Sequence, residues 1–293
     1  MSERDKHPSR PAVPTPARST LAPSPTRRGS HRERVRAREA LSPERGGSAP
    51  EELEPPRPLA RQAVHDRVAE LLARRPRGKL LDVPAGMGAL ARRLAEQGFQ
   101  VSCADINGEG FLAKELPFQQ ADLSAALPFP DGSFDCVTSI EGLEHLENPF
   151  RAVRELARVL RPGGILILSL PNYLNVERRL KFLITGSFTK PVPTAKVKEL
   201  GPEGAAMLHL VPLGYAQLRL MFELAGLEVE QLRRDEPKLR QELFLWLLVL
   251  GIRCYTRLWP RSARQRYLLD EAEGPAVLTG GNTLIIEARK PGC

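Results

Sequence analysis

The chain has 293 residues, 42% of them apolar and only 5% aromatic, and its 43 Lys and Arg against 35 Asp and Glu leave a formal charge of +8. The four cysteines, Cys103, Cys136, Cys254 and Cys293, lie too far apart for a disulfide framework or a Cys-x-x-Cys zinc site. No apolar run reaches the roughly 18 residues of a membrane span, and Met1–Arg28 lacks the apolar core of a signal peptide. A reduced, cytoplasmic protein is expected.

Residues 1–58 hold 11 of the 27 prolines, with 12 Lys and Arg against 8 Asp and Glu, and almost no large apolar side chains. So little apolar surface cannot offset the entropy of ordering, and the segment is expected to be a disordered tail. Its arginines, Arg32, Arg34, Arg36 and Arg38, offer an arm for nucleic acid or anionic lipid. Interspersed acids and the lack of interleaved aromatics favour a solvated tail instead.

The folded domain is expected over 59–293. Ala63, Val64, Val68, Leu71 and Leu72 recur at helical spacing. Lys79–Val83 reads as a buried strand, Pro84–Gly88 as a turn and Ala89–Gln97 as a helix, followed by a second strand, Phe99–Asp105. This is a βαβ unit in a parallel sheet. The pattern Gly86-x-Gly88-x-x-Ala91, with Asp105 19 residues after Gly86, suits either a nicotinamide dinucleotide or another adenosine-bearing ligand.

Three features break that tie. Asp82 places a carboxylate inside the first strand, where a ligand with a cationic amino group would be met. Phe118–Asp122 ends in a further acid, able to accept from an adenine amino group. Leu127–Val137 leads into a strand ending at Ile140-Glu141, then a helix over Pro149–Leu160, the turn Arg161-Pro162-Gly163-Gly164 and a strand over Ile165–Leu170.

The runs Leu81-Asp82-Val83-Pro84-Ala85-Gly86-Met87-Gly88, Phe134-Asp135-Cys136-Val137, Glu144-His145-Leu146-Glu147-Asn148-Pro149 and Arg158-Val159-Leu160-Arg161-Pro162-Gly163-Gly164, in that order, resemble class I S-adenosylmethionine-dependent methyltransferases with a type 11/23-like domain. Pro84 stands where the usual first motif has glycine, a Pro-Ala-Gly variant. The resemblance implies a Rossmann-like α/β fold with a seven-stranded, mostly parallel sheet, helices on both faces and an antiparallel last strand. That last strand, Asn282–Arg289, would insert between the fifth strand and a sixth at Leu227–Leu232.

The resemblance also implies S-adenosyl-L-methionine as cofactor. Ala85, Gly86 and Gly88 would cradle its methionine part, with Asp82 toward the amino group. Asp105 would bind the ribose hydroxyls and Ile106 would lie against the adenine face. Asp122 and the Leu123 amide would meet the adenine edge, and Glu141 would close the methionine side. As alternatives, the strand-end acids cap turns, with Asp122 as the N-cap of a short turn.

On the acceptor side the candidates are His145 and His209 as catalytic residues, and Asn172 and Tyr173 as acceptor-binding residues. No metal site is expected, because the acids and histidines lack ligand spacing. Pro171-Asn172-Tyr173 follows the fifth strand rather than the fourth, which argues against methylation of base amino groups. Segments 174–215 and 233–279 are expected to be acceptor-side insertions. The first contains a basic amphipathic helix ending at Gly186, and it resembles a subgroup of these enzymes associated with cell-surface glycan biosynthesis.

Leu243–Ile252 is apolar all round a helix, about half a bilayer core in length, so it is either buried in protein or lies on a membrane. The expected reaction is methyl transfer to a hydroxyl oxygen of a small molecule, sugar or lipid-linked glycan. The alternatives are RNA or protein methylation and a non-catalytic cofactor-binding scaffold.

Overall fold

The computed structural model describes residues 55–200, 204, 208–238 and 243–292. The expected tail lies outside the described residues as far as residue 54. The chain begins with α1 (Gln62–Ala73), β1 (Lys79–Asp82), α2 (Ala89–Glu96), β2 (Gln100–Asp105), β3 (Phe118–Gln120) and β4 (Phe134–Ile140). A 3-10 turn (Leu143–His145) leads to α3 (Pro149–Val159), β5 (Leu160–Pro171), α4 (Val176–Thr185) and α5 (Thr194–Glu199). Then come α6 (Tyr215–Leu224), β6 (Glu228–Arg234), α7 (Trp246–Arg257), α8 (Arg261–Arg266), α9 (Leu269–Ala272) and β7 (Thr283–Arg289).

Every residue of β1 after Lys79 is buried. Successive side chains of a strand point to opposite faces, so such a strand lies in a sheet covered on both sides. On one face Val64 and Val68 of α1 and Leu90 and Leu94 of α2 pack with Leu80, Val101 and Ile167. On the other, Val153 and Leu156 of α3 and Leu218 and Phe222 of α6 pack with Leu81, Val137, Leu166 and Ile286. The strand order is β3-β2-β1-β4-β5-β7-β6. The pairs from β3 to β5 are parallel, and β7 runs antiparallel to both β5 and β6. The Rossmann-like seven-stranded sheet and the place of its last strand are as expected.

Local boundaries differ for identifiable reasons. Arg161–Gly164 is part of β5 rather than a turn before it. The strand carries an irregularity there, with Phe134 facing Leu160 and Cys136 facing Ile165, and Gly163 takes φ 77°. β3 stops at Gln120, so Asp122 lies two residues beyond its end.

The apolar helix is not buried. Leu245, Val249, Ile252 and Thr256 turn inward, Val249 packing with Val176 and Leu278, with Arg253 reaching the Glu273 carbonyl beside them, a narrow stripe at helical spacing. Phe244 is 75% exposed and Leu247 63%. No helix among the described residues is long and apolar enough to cross a membrane.

Segment 172–175 is tied to the β7 approach by side chains. Asn175 N-caps α4 by accepting from the Arg178 amide at 2.9 Å, and its Nδ2 donates to the Gly281 carbonyl at 3.0 Å. Asn175→Ala removes a cap and a buried hydrogen bond, so the protein is expected to lose about 2 kcal/mol in urea denaturation. An unchanged midpoint would contradict this role.

Candidate active site

The carboxyl ends of β1, β2 and β4 meet where the chain, having run outward to β3, returns to place β4 beside β1. In open α/β sheets this switch point is where ligands bind. Asp82 ends β1, is 1% exposed, and accepts a hydrogen bond from Thr138 Oγ1 of β4 at 2.6 Å. Burial raises its carboxyl to about 7, the Thr138 hydrogen bond opposing and nearby Asp105 adding to the rise. A positively charged group brought beside such a buried acid would favour its ionised form.

After β1 the turn packs tightly against its surroundings. Gly88 takes φ 88° to start α2, and a Cβ there would stand 2.6 Å from Ala113 Cβ. Gly142, past β4, allows the Pro84 ring to sit where its own Cβ would be 2.7 Å from Pro84 Cδ. Leu59 lies over Gly86.

Asp105 is buried at the end of β2. Its Oδ2 accepts from the Gly86 amide at 2.8 Å and its Oδ1 from the Asn107 amide at 2.9 Å, which locks the glycine turn to β2. Each carboxylate oxygen has a second lone pair for a ligand hydroxyl. Beside it Ile106 is 61% exposed, an apolar side chain presented to solvent at the rim. Asp122 caps a short turn, its Oδ1 accepting from the Ser124 amide at 2.7 Å, and Leu123 is buried beneath it. Glu141 holds φ 49° at the end of β4, a costly conformation for a residue with a side chain, of order 1–3 kcal/mol. Its amide donates to the Ser169 carbonyl at 3.0 Å, and its Oε1 accepts from Thr283 Oγ1 at 2.8 Å.

Across β4 and β5 the two histidines come together. The amides of Leu210 and Val211 donate to the Glu144 carbonyl at 2.7 and 3.3 Å, which lays the 208–211 segment on the 3-10 turn. His145 and His209 meet edge to face with ring centroids 5.0 Å apart, and the Tyr173 hydroxyl lies 2.9 Å from His209 Nδ1. Burial, His145 and Arg178 lower the His209 pKa, so the ring is neutral at pH 7. Burial likewise raises the Tyr173 phenol, keeping it protonated. Glu144 is fully buried, and burial raises its carboxyl to about 8.

Tyr173 and His209 open onto a cavity of 640 Å³ shared with Arg178, Lys181, Lys190 and Lys238. Glu177 pairs with Lys238 at 2.8 Å.

Asn172 does not join this site. It is buried, its Nδ2 donates to the Val277 carbonyl at 2.9 Å and its Oδ1 accepts from the Leu174 amide at 3.1 Å. Its polar atoms hold the backbone of 277 and 174, so the acceptor-binding role expected for it is corrected to a structural one. Thr138, Glu144, Thr283 and Lys190 were not anticipated. Thr138 and Thr283 carry no signal in sequence, whereas Glu144 stands next to a candidate histidine. The spacing argument against a metal also fails as a test, because His209 reaches His145 through the fold.

Residues 81–168 match the family model described as a methyltransferase domain. Over that segment the resemblance to class I S-adenosylmethionine-dependent methyltransferases holds. The ubiquinone/menaquinone biosynthesis C-methyltransferase UbiE of Pseudomonas fluorescens is 37% identical over 113 residues, 34% of this chain and 44% of that protein. The 27-O-demethylrifamycin SV methyltransferase of Amycolatopsis mediterranei is 36% identical over 115 residues, 35% of this chain and 42% of its own. The demethylmenaquinone methyltransferase of Beutenbergia cavernae is 34% identical over 143 residues, 46% of this chain and 58% of its own. The chain thus spans about half the length of these relatives. Among solved structures, a SAM-dependent methyltransferase from Methanosarcina mazei is 18% identical at a TM-score of 0.47, covering 80% of this chain and 99% of its own.

An unfolded aspartate titrates near about 3.9, and Asp82 in the fold near 7. The folded state therefore binds this proton more tightly, and its stabilising effect, complete below about pH 4, is lost as the pH rises to about 7. The denaturation midpoint of ligand-free protein is expected to fall over that range, and Asp82→Asn to reduce the slope, Glu144 contributing the remainder. A slope unchanged in Asp82→Asn would contradict the assignment.

Proposed function

We propose that the chain transfers the methyl group of S-adenosyl-L-methionine to a hydroxyl oxygen of a small, anionic acceptor, with a lipid-linked sugar as the favoured class. The observation that carries this reading is one rim with two unlike halves. Over β1 to β3 stand a buried acid bonded to Thr138, a glycine turn with no room for side chains, and an acid beside an exposed isoleucine. Over β4 and β5, His209, packed edge to face on His145, opens with Tyr173 onto a cationic cavity.

The residues fit the cofactor. Its ammonium would neutralise Asp82, its ribose hydroxyls would donate to the free lone pairs of Asp105, and Ile106 would cover the adenine. The Asp122 oxygen not used in its turn would accept from the adenine amino group, the Leu123 amide would meet the ring, and Ala85, Gly86 and Gly88 would line the methionine part. Glu141, held by Thr283 and its strained backbone, would close that side. When bound, the cofactor supplies an electrophilic methyl group on a positively charged sulfur.

The protein's own work is alignment and exclusion of water. Tyr173 orients His209 by hydrogen bonding, and the His145–His209 pair meets and activates the acceptor hydroxyl. Arg178, Lys181 and Lys190 offer charge to a phosphate or carboxylate on the acceptor. The names of the relatives, drawn from quinone biosynthesis and a rifamycin, support a small-molecule acceptor.

A lipid-linked acceptor is favoured by the outer surface. Phe244, Trp246, Leu247 and Leu250 around α7, with Leu183 at the tip of α4, expose apolar surface beside Arg253 and Arg257. Apolar side chains flanked by cations suit the headgroup boundary of an anionic membrane.

Calorimetric titration of S-adenosyl-L-methionine is expected to show one site, weakened at least about tenfold in Asp105→Ala by loss of the ribose contacts. His209→Ala should keep that affinity and lose about 10²-fold or more in turnover. Equal cofactor binding in Asp105→Ala would overturn the site. Co-sedimentation with vesicles rich in anionic lipid should fall in a Phe244→Ser/Leu247→Ser double variant, and retention unchanged by the pair would remove the membrane contact.

A further inference from the structure

Glu144 has no exposed surface, and neither carboxylate oxygen meets a hydrogen-bond donor from another residue, its own backbone amide being the one donor at hand. Leaving a buried carboxylate without a partner costs several kcal/mol, so such groups are paired, protonated or bound to metal. Other acids of the same region are provided for. Glu141 receives the Thr283 hydroxyl at 2.8 Å, and Glu155 receives the Leu127 amide at 2.8 Å together with Arg158. What stands near Glu144 is the pair of imidazoles. One ligand atom from each of Glu144, His145 and His209 lies within 4.8 Å of the other two.

The ring nitrogens add an independent observation. His145 Nδ1 is 3.1 Å from the Leu208 carbonyl oxygen, which can only accept, so Nδ1 carries a proton and Nε2 is the nitrogen left to offer a lone pair to an ion. His209 Nδ1 lies 2.9 Å from the Tyr173 hydroxyl, and in the tautomer that donates Nδ1–H to the phenol oxygen Nε2 carries the lone pair. Histidines that bind metal present this arrangement, one nitrogen held by a carbonyl or other polar group and the other directed at the ion. The residue supplying the carboxylate also fixes the second histidine, since its carbonyl holds the amides of Leu210 and Val211.

We propose that Glu144, His145 and His209 form a binding site for a divalent transition-metal ion, with Tyr173 as a positioning residue for His209. A common ion at about 2.0–2.2 Å from each donor requires the three to close by about an ångström, within reach of side-chain rotation. Two imidazole nitrogens and one carboxylate oxygen favour Mn²⁺, Fe²⁺, Co²⁺ or Zn²⁺ over Mg²⁺ or Ca²⁺, and leave open positions on the ion.

His209 also lines the cationic cavity, so an ion held by it would lie beside that cavity. Resting on the methyl-transfer reading, the ion gives the histidine pair its means of activation. An acceptor hydroxyl bound to the ion would have its pKa lowered and would lose its proton to bulk solvent. The oxygen lone pair then forms the O–C bond to the methyl group as the C–S bond breaks, and that electron pair returns to sulfur, leaving it neutral. In this arrangement the histidines are ligands, and the ion carries the charge that develops on oxygen.

Full-length protein, stripped with chelator, is titrated with Co²⁺ while its visible ligand-field absorption is followed. One equivalent is expected to saturate the signal, and Zn²⁺ to displace it. Glu144→Gln and His209→Ala should each weaken Co²⁺ binding at least about tenfold, and Tyr173→Phe should keep the absorption with reduced affinity. If Glu144→Gln fails to fold, His209→Ala carries the test. No absorption, or a signal unchanged in every variant, would overturn the site and place the cobalt elsewhere, for instance at the exposed Cys254. Cofactor affinity is measured in parallel. Intact cobalt binding with no cofactor binding would leave the site standing and overturn the methyl-transfer reading.

Discussion

The return of the chain to β1 is the constraint on which the rest of the structure depends. β1, β2 and β3 are laid outward, and β4 must then come back to pair with the remaining edge of β1. Crossovers between parallel strands are right-handed, so the segments after β1 and after β4 leave the sheet on opposite sides and a crevice opens between them. The Thr138–Asp82 hydrogen bond spans that junction at the base of the crevice. The glycine turn, Asp105 and Glu141 stand around its rim, each held by a backbone or hydroxyl partner.

The acceptor half depends on a second, longer-range closure. β7 inserts between β5 and β6, and Thr283 at its start reaches Glu141 at the end of β4. Asn172 and Asn175 tie the exit of β5 to residues 276–281 just before β7. Residues 208–211 are zipped to the Glu144 carbonyl. These contacts assemble His145, Tyr173 and His209 from three separate stretches of chain. The same scaffold carries a cationic cavity and an exposed apolar surface on α7.

The strand, glycine turn, helix and strand that surround the proposed cofactor site were legible in the sequence because their signals are local. A buried strand, a turn with glycines, a helix and an acid at the next strand end lie within some 27 residues, from Lys79 to Asp105. Even there, whether Asp122 caps a turn or receives a ligand depended on geometry, and its turn-capping bond is present. The acceptor half was less legible. Asn172 next to a strand end reads as a site residue, yet its amide is fully used by the backbone of 277 and 174. His209 reads as a lone histidine until the fold brings it to His145. Leu243–Ile252 is apolar on every side, and periodicity alone cannot separate a buried helix from one with a single inward stripe. The outer surface of the sheet, where contacts rather than spacing decide, held the information that sequence lacked.

The central claim is methyl transfer to a lipid-linked or similarly anionic small acceptor, and its most direct test is label transfer. Full-length protein would be incubated with methyl-labelled S-adenosyl-L-methionine and host extract, then separated into lipid, glycan, RNA, protein and small-molecule fractions. The account predicts label in the lipid or glycan fraction that is absent when Asp105→Ala replaces the wild type. Label confined to RNA or protein, or none anywhere despite measurable cofactor binding, would contradict it.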